Sequence, residues 1–435
     1  MARRPDLAPH HTSHDTSHDT STRTGTPGPT RAARPTGRLR DDPAGRRAVA
    51  ALGLFELAEY AAWVAVLVLA YRRGGVMSAG TVSTALLVPA ALVAPFAARE
   101  LRLPGLPNSL TAGYALQALA LTVATVVLAL DLHTVFVYLA LTAVMVAAVC
   151  SRPAHHEFLA GRDAPAEVRV AATVATGSVT GAGHLLGPLV AAATIAIAGP
   201  TAVFGVCALL HAVSALLASA LPPTAMPPHR SRGGAPVGHG RSELAARRSG
   251  RCLAPLAMIA LTTVLLGTVE AMATEVSWRN GTGGAGTGLL LGAAGAGLLL
   301  GAQLAGVAMR RADEHAAIRL GAVVSGLALL CLGPRVGTIG SVLAFGLVGV
   351  GLQAVTVASW VLLHRGAGPG CVARTFGLVE SQQLVGYAIG AMVAGIAVDR
   401  VGVWPVLVPT ALLLPLAAVP LGRARSLAPV HVAST

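Results

Sequence analysis

Twelve apolar runs, each about as long as a bilayer is thick, follow one another through most of this chain. They cover about 49–71, 78–98, 108–130, 133–151, 170–199, 200–221, 253–277, 284–309, 316–333, 339–363, 374–398 and 403–422. Roughly 20 apolar residues cross a hydrocarbon core as a helix. In lipid only helices and closed barrels satisfy their own backbone polar groups, and barrel strands alternate in hydrophobicity, which these runs do not. The pattern predicts an all-α membrane protein with twelve transmembrane helices. Composition agrees: 12% of the 435 residues are charged and mean hydropathy is +0.67, against about twice that share of charge in a soluble chain.

The breaks between runs divide the chain. Residues 1–46 are polar, rich in Thr, Pro, Gly, Arg and His, and lack apolar periodicity, as a disordered tail does. No apolar core of signal-peptide type follows the first basic residues. The histidines at 10, 11, 14 and 18 lie in a low-complexity repeat, which is a weak basis for a metal site. The Pro-, Gly- and Arg-rich segment 222–251 separates six runs from six. The expected organisation is a cytoplasmic tail (1–46), a six-helix bundle (47–221), a cytoplasmic linker (222–251), a second six-helix bundle (252–423) and a short tail (424–435).

All 32 basic residues are arginine. With twelve crossings and the N-terminus inside, 27 fall in tails and loops on the cytoplasmic side. Five (Arg72, Arg73, Arg279, Arg335 and Arg400) fall outside. That asymmetry follows the positive-inside rule and predicts a multi-pass protein of the cell membrane with both termini cytoplasmic. The net charge of +13 is then a topology signal strengthened by anionic inner-leaflet lipids, not a nucleic-acid footprint.

The two sets of six runs are related. RVAATVATGSVTGAGHLLGPLVAA from Arg169 aligns with RTFGLVESQQLVGYAIGAMVAG from Arg374, so that Gly181 falls on Gly386. Arg99 and Arg102 after the second run are echoed by Arg310 and Arg311 after the eighth. In this architecture of parallel repeats, substrate sites lie at the repeat interface near the midplane.

Over about residues 47–423 the chain resembles the major facilitator superfamily. Gly183-His184-Leu185-Leu186-Gly187-Pro188 is similar to the first part of the G-x-x-x-G-P-x-x-G-G motif of its drug antiporters, with Ala191-Ala192 replacing the closing glycines. Small residues there let two helices approach closely, and Pro188 bends the helix. The superfamily's loop signature G-x-x-x-D-R-x-G-R-R is degraded: around Arg99 the Asp position is Ala98, and Gly306–Arg311 also lacks its Asp. Gly395–Gly402 fits that pattern better but falls on the external side, where it is expected to end a helix. The loop from Ser151 to Val170 resembles the macrolide- and siderophore-exporter branch.

Intramembrane acids are the candidate functional residues, because a charge at bilayer depth costs about 2.5–3.5 kcal/mol on insertion scales. Glu59 lies 12 residues past Arg47 and 13 before Arg72, near the midplane, with Glu56 one turn away on the same face. Glu270 follows Glu59 by 211 residues, the spacing of Arg99 to Arg310. The resemblance implies that their two helices line a central cavity, where the acids would face each other. Each is read as a protonatable group that exchanges a proton for substrate; the alternative is a carboxylate neutralised by an interhelical arginine. Glu380 lies about two turns into its helix and fits a gate contact with a cytoplasmic arginine as well as a coupling role. His184 and His211 are candidate proton relays, though a lone histidine in a bundle is more often a packing residue. Aromatics make up 4% of the chain, which argues against an aromatic cage; Tyr60, Trp63 and Trp360 are the few candidates.

Neither a nucleotide-binding loop nor a nucleophile triad or metal-spaced cluster stands out, so no enzyme activity, cofactor or metal is expected. The resemblance implies a secondary transporter working by alternating access, most simply a monomer exporting a small organic molecule in exchange for protons. A nutrient-uptake permease and a non-transporting sensor or partner protein are the alternatives.

Overall fold

Arg72-Arg73-Gly74-Gly75 marks the first reversal of the chain, and the reason lies in the backbone. In the computed structural model, which describes residues 43–97, 106–160, 166–222, 250–333, 336–366 and 372–420, Gly75 has φ 65° and ψ −161°. Such a conformation is open to glycine and strained for any side chain. It splits the long helix Pro43–Ala97 into α1 (43–73) and α2 (76–97). The remaining helices are α3 (Leu106–Ala129), α4 (Val135–Ala160), α5 (Ala166–Ala198), α6 (Pro200–Ser219), α7 (Gly250–Arg279), α8 (Gly283–Arg311), α9 (Glu314–Leu330), α10 (Thr338–Gly366), α11 (Val372–Val401) and α12 (Val403–Ala418). Strands are absent among the described residues. The described residues form twelve helices, and the protein is a multi-pass membrane protein.

The duplication is visible in the backbone as well as the sequence. Gly199 ends α5 with φ 81° and ψ 172°, and Gly402 ends α11 with φ 82° and ψ 171°. The turn after Asp399-Arg400 is therefore a helix end. Two helix pairs join the halves, α2 with α11 and α5 with α8. Exchanging the halves maps one pair onto the other, as a pseudo-two-fold relation requires.

These seams depend on small residues. At Gly80 on α2 a side chain would run into the backbone of Ala391 and lie 3.3 Å from Gly395 Cα. At Gly288 on α8 it would meet the Pro188 carbonyl and lie 3.0 Å from Ala192 N. In lipid, where apolar side chains gain little by leaving their surroundings, such close backbone approach is the main source of helix association. The α2–α11 seam continues through Thr84, whose hydroxyl donates to the Ala388 carbonyl at 2.9 Å, and Ser381, which donates to Ala91 at 2.9 Å.

With an even number of crossings the two ends of the helical region share one face, here the terminal face; the opposite one is the distal face. At the distal face Tyr71 on α1 donates to Glu275 on α7 at 2.6 Å, and Arg279 pairs with the same carboxylate at 2.7 Å. The Tyr71 and Trp278 rings stack with centroids 4.6 Å apart. The halves are thus tied together distally. Toward the terminal face a side chain at Gly181 would meet Leu299 of α8, and at Gly177 nothing stands within 4 Å.

Candidate functional site

Glu56, Glu59, Tyr60 and Trp63 stand on successive turns of one side of α1, because residues three and four apart share a helix face. Gly183 and Gly187 of α5 bring that side within backbone reach. A side chain at Gly183 would lie 2.7 Å from Glu56 Cβ, and one at Gly187 2.7 Å from Tyr60 Cβ and 2.8 Å from the Leu57 carbonyl. The glycines of the helix-5 motif therefore seat α5 on the acid-bearing stretch of α1. Pro188 turns the opposite way, toward Gly288 of α8.

Glu59 is neutralised across helices. Arg152 of α4 donates through Nη2 to Glu59 Oε1 at 2.7 Å, and its guanidinium also lies over the Phe55 ring, 5.9 Å from the centroid. Arg152 stood outside the expected transmembrane run, since Ser151-Arg152-Pro153 resembles a helix end. Instead α4 continues through Pro153 to Ala160, which holds Arg152 inside the bundle. Glu56 accepts from the Thr180 hydroxyl of α5 at 3.0 Å. Glu56 Oε2 and Glu59 Oε2 are both buried with no hydrogen-bond partner among the described residues. Glu380 of α11 lies within electrostatic range of Arg152 and Glu59. One guanidinium thus pairs with Glu59 and interacts electrostatically with two further carboxylates, Glu56 of the first half and Glu380 of the second.

Glu270 is bonded to the residue one turn beyond Glu59: the indole N–H of Trp63 donates both to Glu270 Oε2 and, at 3.1 Å, to the Tyr387 hydroxyl of α11. Trp63 and Tyr387 meet edge to face at 5.8 Å. A small cavity of about 20 Å³, room for about one water molecule, is lined by Tyr60, Trp63, His184, Pro188 and Glu270 together with apolar residues of α7 and α8. Aromatic residues are few in this chain, yet Tyr60 and Trp63 line this cavity and Tyr387 packs behind Trp63. Trp360 is not one of them; it packs against the small cluster around Ile259, Leu363 and Val379. A larger groove of about 400 Å³ between α3 and α6 is lined by apolar and threonine side chains and carries no charge.

The two histidines differ. His184 donates through Nδ1 to the Thr180 carbonyl at 3.0 Å, and its ring lies against Tyr60 with centroids 3.7 Å apart, so it belongs to the cavity. His211 is fully buried, packed edge-on to Phe55 at 5.7 Å, and neither ring nitrogen has a partner among the described residues. A third histidine, His155 of α4, joins Tyr114 to the Ala48 carbonyl through hydrogen bonds of 2.8 Å each. The carbonyl only accepts, so Nε2 carries the proton and Tyr114 donates to Nδ1.

Of the loop-signature residues, Arg99 and Arg102 lie outside the described residues. Arg310 and Arg311 end α8 and are exposed. The acids missing before them occur after them: Asp313 caps α9 by accepting from the Ala316 N–H at 2.5 Å, and Glu314 pairs with Arg365 at the end of α10.

No protein-family profile and no curated protein matches the sequence. Solved structures do. The helices superpose on a point-mutant form of the nucleoside transporter NupG, with TM-score 0.64 and 14% identity over 86% of this chain and 98% of that one. An auto-inhibited peptide transporter of the POT family gives TM-score 0.65 and 14% identity over 90% and 99%. A POT family transporter in complex with 5-aminolevulinic acid gives 0.66 and 10% over 87% and 95%. The chain has the major facilitator fold. At such identities the likeness carries the arrangement of helices and no particular residue or substrate.

Proposed function

We propose that this protein is a proton-coupled secondary transporter that exports a small organic molecule by alternating access. The observation that carries the reading is the Arg152–Glu59 ion pair near mid-bilayer, with Glu56 and Glu380 around the same guanidinium. Three carboxylates exceed what one arginine neutralises, and excess charge at this depth is held only by a proton, a cation or a water-filled cavity. A site that binds protons beside a substrate cavity can trade one for the other as the halves rock. The roles assigned are proton exchange for Glu59 and Glu56, gating contact for Glu380, and substrate contact for Glu270 and His184. Gly183 and Gly187 hold α5 on the acid-bearing stretch of α1 within the first half, and Pro188 faces α8 at the pivot between halves. Arg99, Arg102, Arg310 and Arg311 anchor the cytoplasmic loops at anionic lipid.

The halves 47–221 and 252–423 are the rocking units, and a monomer contains the complete site. The arginine asymmetry places both termini in the cytoplasm of a cell-membrane protein. The distal seal through Tyr71, Glu275 and Arg279 then corresponds to a state closed toward the outside. Export, as in the drug-exporter branch, is assigned from Gly183-x-x-x-Gly187-Pro188. Solved relatives in fold include transporters named for nucleosides and peptides, so the probes should span charge types.

The test is reconstitution in proteoliposomes with an imposed pH gradient, using ethidium, uridine and dialanine as probes and an internal pH dye. Gradient-driven movement of a probe opposite to the proton flow supports the proposal. Movement with the protons assigns uptake instead, and no pH-dependent flux of any probe contradicts it.

A further inference from the structure

An arginine directly before a proline is a poor place to continue a helix. Proline has no N–H to give the carbonyl four residues back, and its ring disfavours the α conformation in the residue before it. Pro153 imposes both on Arg152, yet α4 runs on to Ala160. Arg152 stays helical, with its guanidinium on Glu59, only while the chain beyond Pro153 is held in line. The helix ladder is weakest at this step, so contacts with other helices must hold the turn that follows.

His155 supplies such contacts. It lies three residues past Arg152, on the same side of α4, and it is buried. Nε2 donates to the Ala48 carbonyl of α1 and Nδ1 accepts from the Tyr114 hydroxyl of α3, at 2.8 Å each. Ala154 and Leu159, on either side of it in the chain, are buried in the same apolar cluster as Ala48, Phe55 and Tyr114. Apolar contacts are non-directional, whereas the two hydrogen bonds fix the rotation of the turn as well as its place. Phe55 closes the circuit. Its ring centroid lies 5.4 Å from that of Tyr114 and 5.9 Å from the Arg152 guanidinium. The turn before Pro153 and the turn after it are therefore both docked on α1, at Phe55 and at Ala48, with Tyr114 of α3 joining the two.

We propose that His155 is a positioning residue for the Arg152–Glu59 pair: its bonds to Ala48 and Tyr114 keep α4 helical through Pro153 and so hold the guanidinium on the carboxylate. Without those bonds the residue before the proline relaxes toward the extended conformation it prefers, and the guanidinium leaves Glu59. The meaning of this for transport rests on the reading of Glu59 as the proton site, because His155 then sets how firmly that site is answered by a cation. The positioning itself concerns the pair alone.

The test is thermal unfolding of the purified full-length protein in detergent, with Arg152→Met introduced into the parent, into His155→Leu and into His155→Gln. Glutamine can donate to Ala48 and accept from Tyr114, and leucine can do neither. In the parent, Arg152→Met should lower the melting temperature, because Glu59 loses its partner. In His155→Leu the pair is already broken, and the further drop on adding Arg152→Met should be less than about half of that in the parent. In His155→Gln the full drop should return. Tyr114→Phe keeps the ring against Phe55 and removes only the hydroxyl. It should act as His155→Leu does, and it carries the comparison if His155→Leu does not elute as a monodisperse protein. Losses that simply add overturn the inference, since a residue that contributes stability alone would give them. An unchanged melting temperature in Arg152→Met, or a His155→Gln protein that responds like His155→Leu, overturns it as well. The expected pattern in a protein with no proton-driven flux would overturn the transporter reading and leave this inference standing.

Discussion

Arg152 on α4 and Glu59 on α1 are held at 2.7 Å inside the first six-helix half, 93 residues apart in the chain. Neither group can lose the other cheaply at that depth. Removing one partner of a buried pair leaves an uncompensated charge and typically costs on the order of 3 kcal/mol. Arg152 retains some exposure, 24% of its side chain, which puts the expected loss at the lower end of that range. Thermal unfolding in detergent should therefore show Arg152→Met clearly destabilised and the double variant Arg152→Met with Glu59→Gln largely recovered. A double variant whose losses simply add would show that the pair is not coupled.

Gly187 predicts a steric effect of known sign. A methyl group there meets Tyr60 Cβ at 2.7 Å and the Leu57 carbonyl at 2.8 Å, with helix backbone on one side and the root of a side chain on the other. Overpacking of this kind costs about 1–3 kcal/mol. Gly187→Ala should lower the melting temperature, whereas Gly177→Ala, where nothing stands within 4 Å, should not. Comparable melting of the two variants would contradict the packing described for α1 and α5.

The α5–α8 seam predicts a shift of population. A side chain at Gly288 fits only if α8 separates from Pro188 and Ala192. Gly288→Val should therefore favour the state in which the distal face opens. Maleimide labelling of a cysteine at position 192, in a background without the native cysteines, should become faster from the distal side. Unchanged labelling would place the movement elsewhere.

His211 supplies a control for the histidines. Both ring nitrogens are buried without a partner among the described residues, a situation that costs about 1–3 kcal/mol relative to an apolar replacement of similar shape. His211→Phe should raise the melting temperature and preserve gradient-driven flux. Loss of flux in a stable His211→Phe protein would make this residue part of the proton route.

Sequence carried some of this further than the rest, and the reasons are physical. Glu59 and Glu270 stand out because an acid in an apolar run is costly. The first reversal stands out because 72–77 interrupts two apolar runs. Arg152 was hidden by the proline that follows it: an Arg-Pro step usually closes a helix, and here α4 tolerates Pro153 and runs on. The bond from Trp63 to Glu270 spans 207 residues, a separation over which the periodicity of one helix gives no guide to its neighbour. Glu314, which with Arg365 supplies an ion pair near the degraded loop signature, lies just past the position where an acid would be sought.

The most direct measurement of the central claim compares Glu59→Gln with the parent protein in proteoliposomes, using whichever probe the parent moves. The amide keeps the size of the side chain and a hydrogen-bond acceptor for Arg152, but it cannot carry a proton. Gradient-driven accumulation should be lost while exchange of labelled for unlabelled probe across the membrane continues. Driven accumulation at the parent rate in Glu59→Gln would contradict the account.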